Sequence, residues 1–123
     1  RGQYFASMES ARLLKITRIM KIQINTDHNI KGREALAEQT KATVESTLGH
    51  LVDHVTRVEV HLSDENGKKT GGHDKRCMME ARLERHQPIA ASHEAETLGE
   101  AVVGAVEKLK SALDHTLGRL SDR

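Results

Sequence analysis

The sequence predicts an α+β fold, a two-layer sandwich in which a four-stranded sheet carries two helices on one of its faces. Its hydrophobic periodicities follow the order β-α-β-β-β-α over residues 20–120. A helix between the first two strands implies a parallel, right-handed crossover, whereas the short links that follow imply an antiparallel meander. Each predicted strand has one apolar and one charged face, so both amphipathic helices are expected on the same side of the sheet.

The last helix, predicted over Thr97–Leu120, is the longest element and carries a single apolar stripe. Thr97 is a candidate N-cap, and Glu100 three residues later completes a capping box. Acidic Glu100 near the start and basic Arg119 near the end follow the order that the helix dipole favours. Steps of three and four residues place the stripe on one face: Leu98, Val102, Ala105, Leu109, Ala112, Leu113, Leu117 and Leu120.

The sandwich is predicted to begin with a strand and a shorter helix. Met20, Ile22 and Ile24 alternate with polar residues, which is typical of a half-buried strand, and residues 27–29 end it. A helix that ends near Gly49 is then predicted. Its apolar face consists of Ile30, Leu36, Thr40, Val44, Thr47, Leu48 and Leu51.

Three further strands complete the predicted sheet. The second begins at Val55 and the third covers residues 77–84, with apolar and charged residues alternating in both. Between them, residues 63–74 (SDENGKKTGGHD) are predicted to form a glycine-rich loop. We expect residues 85–88 to make a tight connection, after which Ile89, Ala91 and His93 alternate in a short fourth strand.

The open face of the sheet is expected to carry charges of both signs. The arginines on it stand beside glutamates, which favours cross-strand ion pairs over ligand contacts. The residues concerned are Arg57, Arg82 and Arg85 with Glu59, Glu80 and Glu84.

Length and charge indicate one domain preceded by a basic leader. A chain of 123 residues accommodates one domain, which we place at residues 20–123. Residues 1–19 match no later pattern and are interpreted as a flexible leader or vector-derived segment; the alternative is a backward extension of the first strand through residues 14–18. Residues 20–123 hold 15 basic and 17 acidic residues, so a polyanionic partner has to be held by a local patch.

Composition and motifs argue against several classes of function. Aromatic residues make up 2% of the chain, so base-stacking surfaces for single strands are not expected. The single cysteine, Cys77, fits a small core residue in a cytoplasmic protein, and no apolar run approaches the roughly 18 residues of a membrane span. No nucleophile elbow or phosphate-binding loop is present, so neither catalysis, nor a small-molecule substrate, nor a cofactor is predicted. His50 and His54 have helical metal-ligand spacing, but the preceding Gly49 indicates that the helix has ended, and no metal site is predicted.

Three local strings carry a resemblance to a known family. Residues 20–24 (MKIQI) and 58–63 (VEVHLS) fall in the first two predicted strands, and residues 89–92 (IAAS) with 106–109 (VEKL) fall in the last strand and helix. With the β-α-β-β-β-α order, they resemble the short form of the ribosome hibernation-promoting factor family, also called the ribosome-associated inhibitor or sigma-54 modulation family.

The resemblance implies a non-enzymatic protein that binds the small ribosomal subunit. In that family the domain is similar in shape to double-stranded-RNA-binding domains. It lies in the channel of messenger and transfer RNA, where its basic residues contact ribosomal RNA and block translation in idle cells. Lysine and arginine suit phosphate contacts, which position a protein without reading sequence. The residues predicted to contact RNA here are Lys68, Lys69, Lys75, Arg76, Lys108, Lys110 and Arg119.

Departures from the family pattern leave a second interpretation open. Gly99 stands where the family usually has an aromatic residue, and Thr43 and Ser46 align with basic positions of its first helix. Asp114, His115 and Asp122 lie where family members often gather lysines. The alternative is therefore a regulatory protein-interaction module of the same fold with weak or no RNA binding.

Overall fold

The predicted order of elements is confirmed in the computed structural model, which describes residues 20–28, 30–64 and 74–121. The proposed leader, Lys68, Lys69 and Asp122 lie outside these residues, as does the side chain of Leu120. A short 3-10 helix, Gly49–Leu51, follows the first α-helix. The other elements are β1 (Lys21–Thr26), α1 (Arg33–Leu48), β2 (Val55–Asp64), β3 (Lys75–Leu83), β4 (His86–Ala95) and α2 (Leu98–Ser121).

The four strands form one mixed sheet in the order β1-β2-β3-β4. Strand β1 runs parallel to β2, with Ile22 opposite Val58. The β2–β3 and β3–β4 pairs are antiparallel, with Val60 opposite Met79 and Met79 opposite Ala91. The parallel crossover and the antiparallel meander are therefore as the periodicities predict.

Both helices pack on the apolar face of the sheet. Helix α2 lies over β3 and β4, and α1 contacts β1 and the side of α2. The alternating residues of the strands point towards them, so a single core lies between the two layers. Its fully buried members are Val44, Leu48, Val55, Val58, Val60, Cys77, Met79, Ala81, Ala101, Ala105, Leu109 and Leu113.

The start of α2 is fixed by the predicted N-cap, Thr97. The predicted capping box is only half formed, because the Glu100 carboxylate accepts from the Thr97 hydroxyl and not from its backbone N–H. The Glu100 backbone N–H donates to Thr97 Oγ1 at 3.1 Å, and the Thr97 hydroxyl donates to Glu100 Oε1 at 2.9 Å. This arrangement satisfies one of the N–H groups that a helix start leaves without an internal partner. The cap sets where α2 turns back over the sheet after β4.

Helix α2 approaches β4 closely at Gly104. The imidazole of His93, on the covered side of β4, occupies the space in which a side chain at position 104 would lie. Glycine therefore permits the close contact between helix and edge strand, which a larger residue would prevent.

Several predicted boundaries are wrong by a few residues. Met20 precedes β1, and Ser63 and Asp64 extend β2 because they pair with Arg76 and Lys75. The β3–β4 turn consists of residues 84–85, and Arg85 adopts a left-handed conformation with φ 59°. Residues 86–88, predicted as a connection, are the first residues of β4.

Candidate functional site

Lys75, at the start of β3, lies between two carboxylates. Its Nζ is 3.1 Å from Asp74 Oδ2 and 3.2 Å from Asp64 Oδ1, and 22% of its side chain is exposed. The hydrogen bond to Asp74, and then the one to Asp64, raise the pKa of Lys75 above its ordinary value. The two carboxylates favour the charged form of the ammonium group, and they also largely cancel its field.

Arg76 follows Lys75 on the opposite side of the strand. It is exposed on the open face of the sheet, where it stands opposite Ser63 of β2 and Glu94 of β4. Lys75 and Arg76 are therefore adjacent in sequence but lie on different faces, because neighbouring strand residues point to opposite sides.

Lys108 is an exposed residue halfway along α2. Its Nζ donates a hydrogen bond of 3.3 Å to the backbone oxygen of Ser92 in β4. That acceptor is neutral, so the lysine keeps its full charge, and an ammonium group has further hydrogens for another acceptor.

Lys110 lies on the other side of α2 and has an acidic partner. Its Nζ is 3.1 Å from Asp114 Oδ2, one helical turn further on. Asp114 also accepts from His50, whose Nε2 is 3.4 Å from Oδ1. The hydrogen bond from Lys110 first, and the one from His50 second, lower the pKa of the Asp114 carboxyl.

The helical geometry of α2 separates its three cations into two groups. Lys108 and Lys110 are two residues apart and point to nearly opposite sides, since each residue turns the helix by about 100°. His115 and Arg119 are both exposed. His115 follows Lys108 by about two helical turns and Arg119 follows it by about three. Lys108, His115 and Arg119 therefore share one side, which we call the α2 outer side; about 16 Å of helix axis separates Lys108 from Arg119.

A shallow groove between α1 and α2 runs on the Lys110 side. Thr43 and Thr47 of α1 face Val103 and Ser111 of α2 across it. Val103 is 48% exposed, an unusual environment for a branched apolar side chain. Glu107 and Lys110 of α2 also line the groove, so its charges come from α2, whereas the α1 side offers Thr43 where the family resemblance leads one to expect a basic residue.

The open face of the sheet carries the predicted ion pairs. Arg57 lies 3.2 Å from Glu59 on its own strand, and Arg82 of β3 lies 3.8 Å from Glu59 across the strand pair and 3.7 Å from Glu80. Glu84 and Arg85 are exceptions to the prediction, because they form the β3–β4 turn and do not lie on the sheet face. The pairing of arginine with glutamate makes this face nearly neutral.

The histidines and the cysteine do not form a reactive centre in the described part of the chain. His50 lies in the short 3-10 helix with Asp114 as its partner, and among the described residues no three metal-ligating side chains come together. Cys77 is fully buried, and burial raises the pKa of its thiol to about 12. It is the small core residue that the sequence predicts, since a thiol of this kind stays protonated and unreactive.

The acidic partners of the candidate cations are what the sequence prediction missed. The pairing of Lys110 with Asp114 could have been found, because residues four apart on a helix are neighbours. Asp64 could not have been paired with Lys75 before the end of β2 was known, since residues 65–73 separate β2 from Asp74 in the sequence.

These features define a class of protein: a small α+β domain whose candidate RNA contacts, among the described residues, lie on the last helix and at one end of its sheet. The sequence profile of the Sigma 54 modulation protein / S30EA ribosomal protein family matches residues 22–121. The chain belongs to this family, which confirms the resemblance drawn from residues 20–24, 58–63 and 89–109.

Solved structures with the same fold are similar over the whole of their own length. A ribosomal subunit interface protein from Coxiella burnetii matches with a TM-score of 0.61 and 17% identity, over 80% of this chain and 99% of that one. The N-terminal domain of Thermus thermophilus Protein Y matches with a TM-score of 0.57 and 19% identity, over 79% and 99%. No curated protein sequence matches the chain significantly. Neither described helix is long and apolar enough to cross a membrane.

Proposed function

We propose that this domain binds the small ribosomal subunit in the cytoplasm, contacts ribosomal RNA in the channel of messenger and transfer RNA, and keeps ribosomes inactive under stress. The observation that carries the proposal is family membership over residues 22–121, which covers the whole sandwich apart from Lys21, the first residue of β1. The similar Coxiella burnetii protein is named for the ribosomal subunit interface. The proposal involves no catalytic residue and no cofactor.

The α2 outer side is the best candidate for the RNA contact among the described residues. Lys108 and Arg119 are exposed there, and neither has a carboxylate partner in any ion pair identified in residues 20–28, 30–64 and 74–119. Their long side chains reach phosphates on a curved RNA surface without a fixed geometry. Lys75, Arg76 and Lys110 remain predicted contacts, but Lys75 and Lys110 have to exchange their carboxylate partners for phosphates.

The charge of the domain restricts how it can bind RNA. The described residues hold 12 lysines and arginines and 15 aspartates and glutamates, so the fold as a whole does not attract a polyanion. Attraction has to come from the local cations at close range, where each neutralised phosphate releases counterions. We therefore expect ribosome binding that weakens steeply as salt is raised.

Gradient centrifugation with separated subunits tests the proposal. In low salt the chain is expected to sediment with small subunits and not with large ones, and to leave them as salt rises. The double variant K108E/R119E should lose the association, whereas K21E/K41E, which changes two exposed lysines on β1 and α1 by the same charge, should keep it. A wild-type chain that stays at the top of the gradient in low salt would refute the proposal.

A protein-interaction module is the second candidate, and the groove between α1 and α2 favours it. Val103 is 48% exposed beside the uncharged Thr43 and Thr47, which suits an apolar side chain of a partner better than a phosphate. A pull-down from a lysate depleted of ribosomes is expected to return one stoichiometric partner that the V103E variant does not bind. Capture that is equal for both proteins, or absent, counts against this function.

A further inference from the structure

The outer edge of β4 is the longest stretch of backbone in the described sheet that no other strand covers. The strand has ten residues, most of them exposed, and it lies at one end of the order β1-β2-β3-β4. An uncovered edge presents N–H and C=O groups that can pair with a further strand. The hydrogen-bonding groups of this edge can be assigned residue by residue.

Two observations show which residues of β4 direct their backbone outwards. Lys108 is exposed and reaches Ser92 O from a helix that covers the face of β3 and β4, so this oxygen points to the outer edge and not towards β3. Pro88 lies four residues before Ser92 in β4, and its backbone carbonyl points in the same direction as that of Ser92. Proline has no N–H to donate, which suits a position whose backbone faces the outer edge. Direction alternates from Ile89 to Ala95, so the backbone groups of residues 90, 92 and 94 point outwards and those of 89, 91, 93 and 95 point towards β3. The register shift between β3 and β4 falls between His86 and Ile89, and the Pro88 carbonyl points outwards because it is trans to the Ile89 N–H.

We propose that this edge binds a second copy of the same chain, with the two β4 strands antiparallel and a two-fold axis at Ala90. In this register the two Ala90 residues exchange both of their hydrogen bonds. Each Pro88 lies opposite Ser92 of the partner, so its carbonyl accepts from Ser92 N–H but it returns no donor. The Ser92 carbonyl therefore receives no hydrogen bond from the opposing Pro88. This carbonyl is the one that already accepts a hydrogen bond from Lys108.

Neighbouring symmetric registers do not match in this way. A shift of the axis by one residue towards the start of β4 places Pro88 opposite Ala90, whose carbonyl then has no donor. A shift by one residue the other way places Pro88 opposite Glu94, and the N–H of Ala90 competes with Lys108 for Ser92 O. A further shift sets the two Lys108 ammonium groups against each other at the axis, which like charge disfavours.

The side chains of this stretch allow the approach. Pro88, Ala90 and Ser92 are small, exposed residues on the open face, and Ala91 between them is also small. Proline and lysine at a sheet edge usually prevent pairing. Here they complement one another across the axis, so they select one register and one partner, an identical strand, instead of excluding every strand.

Cysteine cross-linking tests both the association and its register. An A90C variant is expected to form a disulfide-linked dimer on mild oxidation, because opposed residues of a hydrogen-bonded pair have Cα atoms about 5.5 Å apart, within disulfide range. In S92C the two cysteines lie about 14 Å apart along the strands and should not react. The native Cys77 is fully buried and does not interfere. Equal rates for A90C and S92C, or no dimer of A90C, would overturn the proposal.

Sedimentation equilibrium of uncross-linked protein supplies the second measurement. The wild type is expected to show a reversible monomer–dimer equilibrium, which A90V keeps and A90P loses because proline removes the two central N–H donors. Ala90 does not donate to β3, so A90P should retain a cooperative unfolding transition. A wild type that is monomeric at every concentration, or an A90P dimer as strong as that of the wild type, would show that this edge does not pair. The proposal does not rest on ribosome binding, and both measurements use the purified chain alone.

Discussion

Replacement of Gly104 by alanine tests how closely α2 packs on the edge strand. A Cβ at this position would lie 2.6 Å from His93 Nε2 and would also overlap ring carbons of the imidazole. Carbon and nitrogen atoms do not approach this closely, so the helix, the strand or the ring has to shift. The His93 backbone has little freedom to move because it pairs with Cys77 of β3.

The size of the effect follows from two opposing contributions. Alanine is preferred to glycine in a helix by about 1 kcal/mol. Overfilling a packed site costs about 1 to 3 kcal/mol. We therefore expect Gly104→Ala to lower the free energy of unfolding by about 1 kcal/mol, although the same change stabilises an unobstructed helix.

Urea denaturation of four proteins separates the two contributions. Gly99→Ala on the same helix meets no atom within 4 Å and should be neutral or stabilising, by up to about 1 kcal/mol. In a His93→Ala background the ring is absent, so Gly104→Ala should also become stabilising, with a coupling of about 2 kcal/mol between the two sites. If Gly104→Ala stabilises the wild type as much as Gly99→Ala does, the close contact between α2 and His93 does not exist.

Three further changes test the core, the cap and the pH dependence. Leu109→Ala removes a fully buried side chain and should cost about 2 to 5 kcal/mol in urea denaturation, and a cost below about 1 kcal/mol would contradict its burial. Thr97→Ala removes the acceptor for the Glu100 N–H and should cost about 0.5 to 2 kcal/mol in urea denaturation, while the packing of the core stays unchanged. Asp114→Asn should reduce stability at neutral pH, because the pKa of Asp114 is lowered in the folded protein. This contribution is full above the ordinary carboxyl pKa of about 3.9 and is lost as the pH falls through the lowered folded value, so wild type and variant should converge below about pH 4; a constant difference in urea midpoint would refute it.

Periodicity predicts the sandwich well because each element has one buried face. The alternating residues of β2 and β3 and the three-to-four spacing in α2 are consequences of burial on one side only. The ends of β4 were not predictable in the same way. A proline usually indicates the end of a strand. Pro88 is tolerated within β4 because its backbone faces the outer edge, where no strand requires an N–H donor.

The candidate site is harder to predict than the fold because charge depends on neighbours that are distant in sequence. Lys75 reads as an available cation, but strand pairing brings Asp64 beside it. The separation of Lys108 from Lys110 follows from helical geometry and could have been worked out before the structure. The reach of Lys108 to Ser92 could not, because it depends on how far α2 lies from the sheet edge.

The affinity of the chain for isolated small ribosomal subunits, measured over a range of salt concentrations, tests the central claim most directly. We expect binding in low salt with a logarithmic salt dependence of about 0.7 to 0.9 per phosphate contact. The K108E/R119E variant should bind more weakly at every salt concentration, with a slope reduced by about 2, and K21E/K41E should match the wild type. An unchanged affinity and slope for K108E/R119E would show that the α2 outer side does not contact RNA.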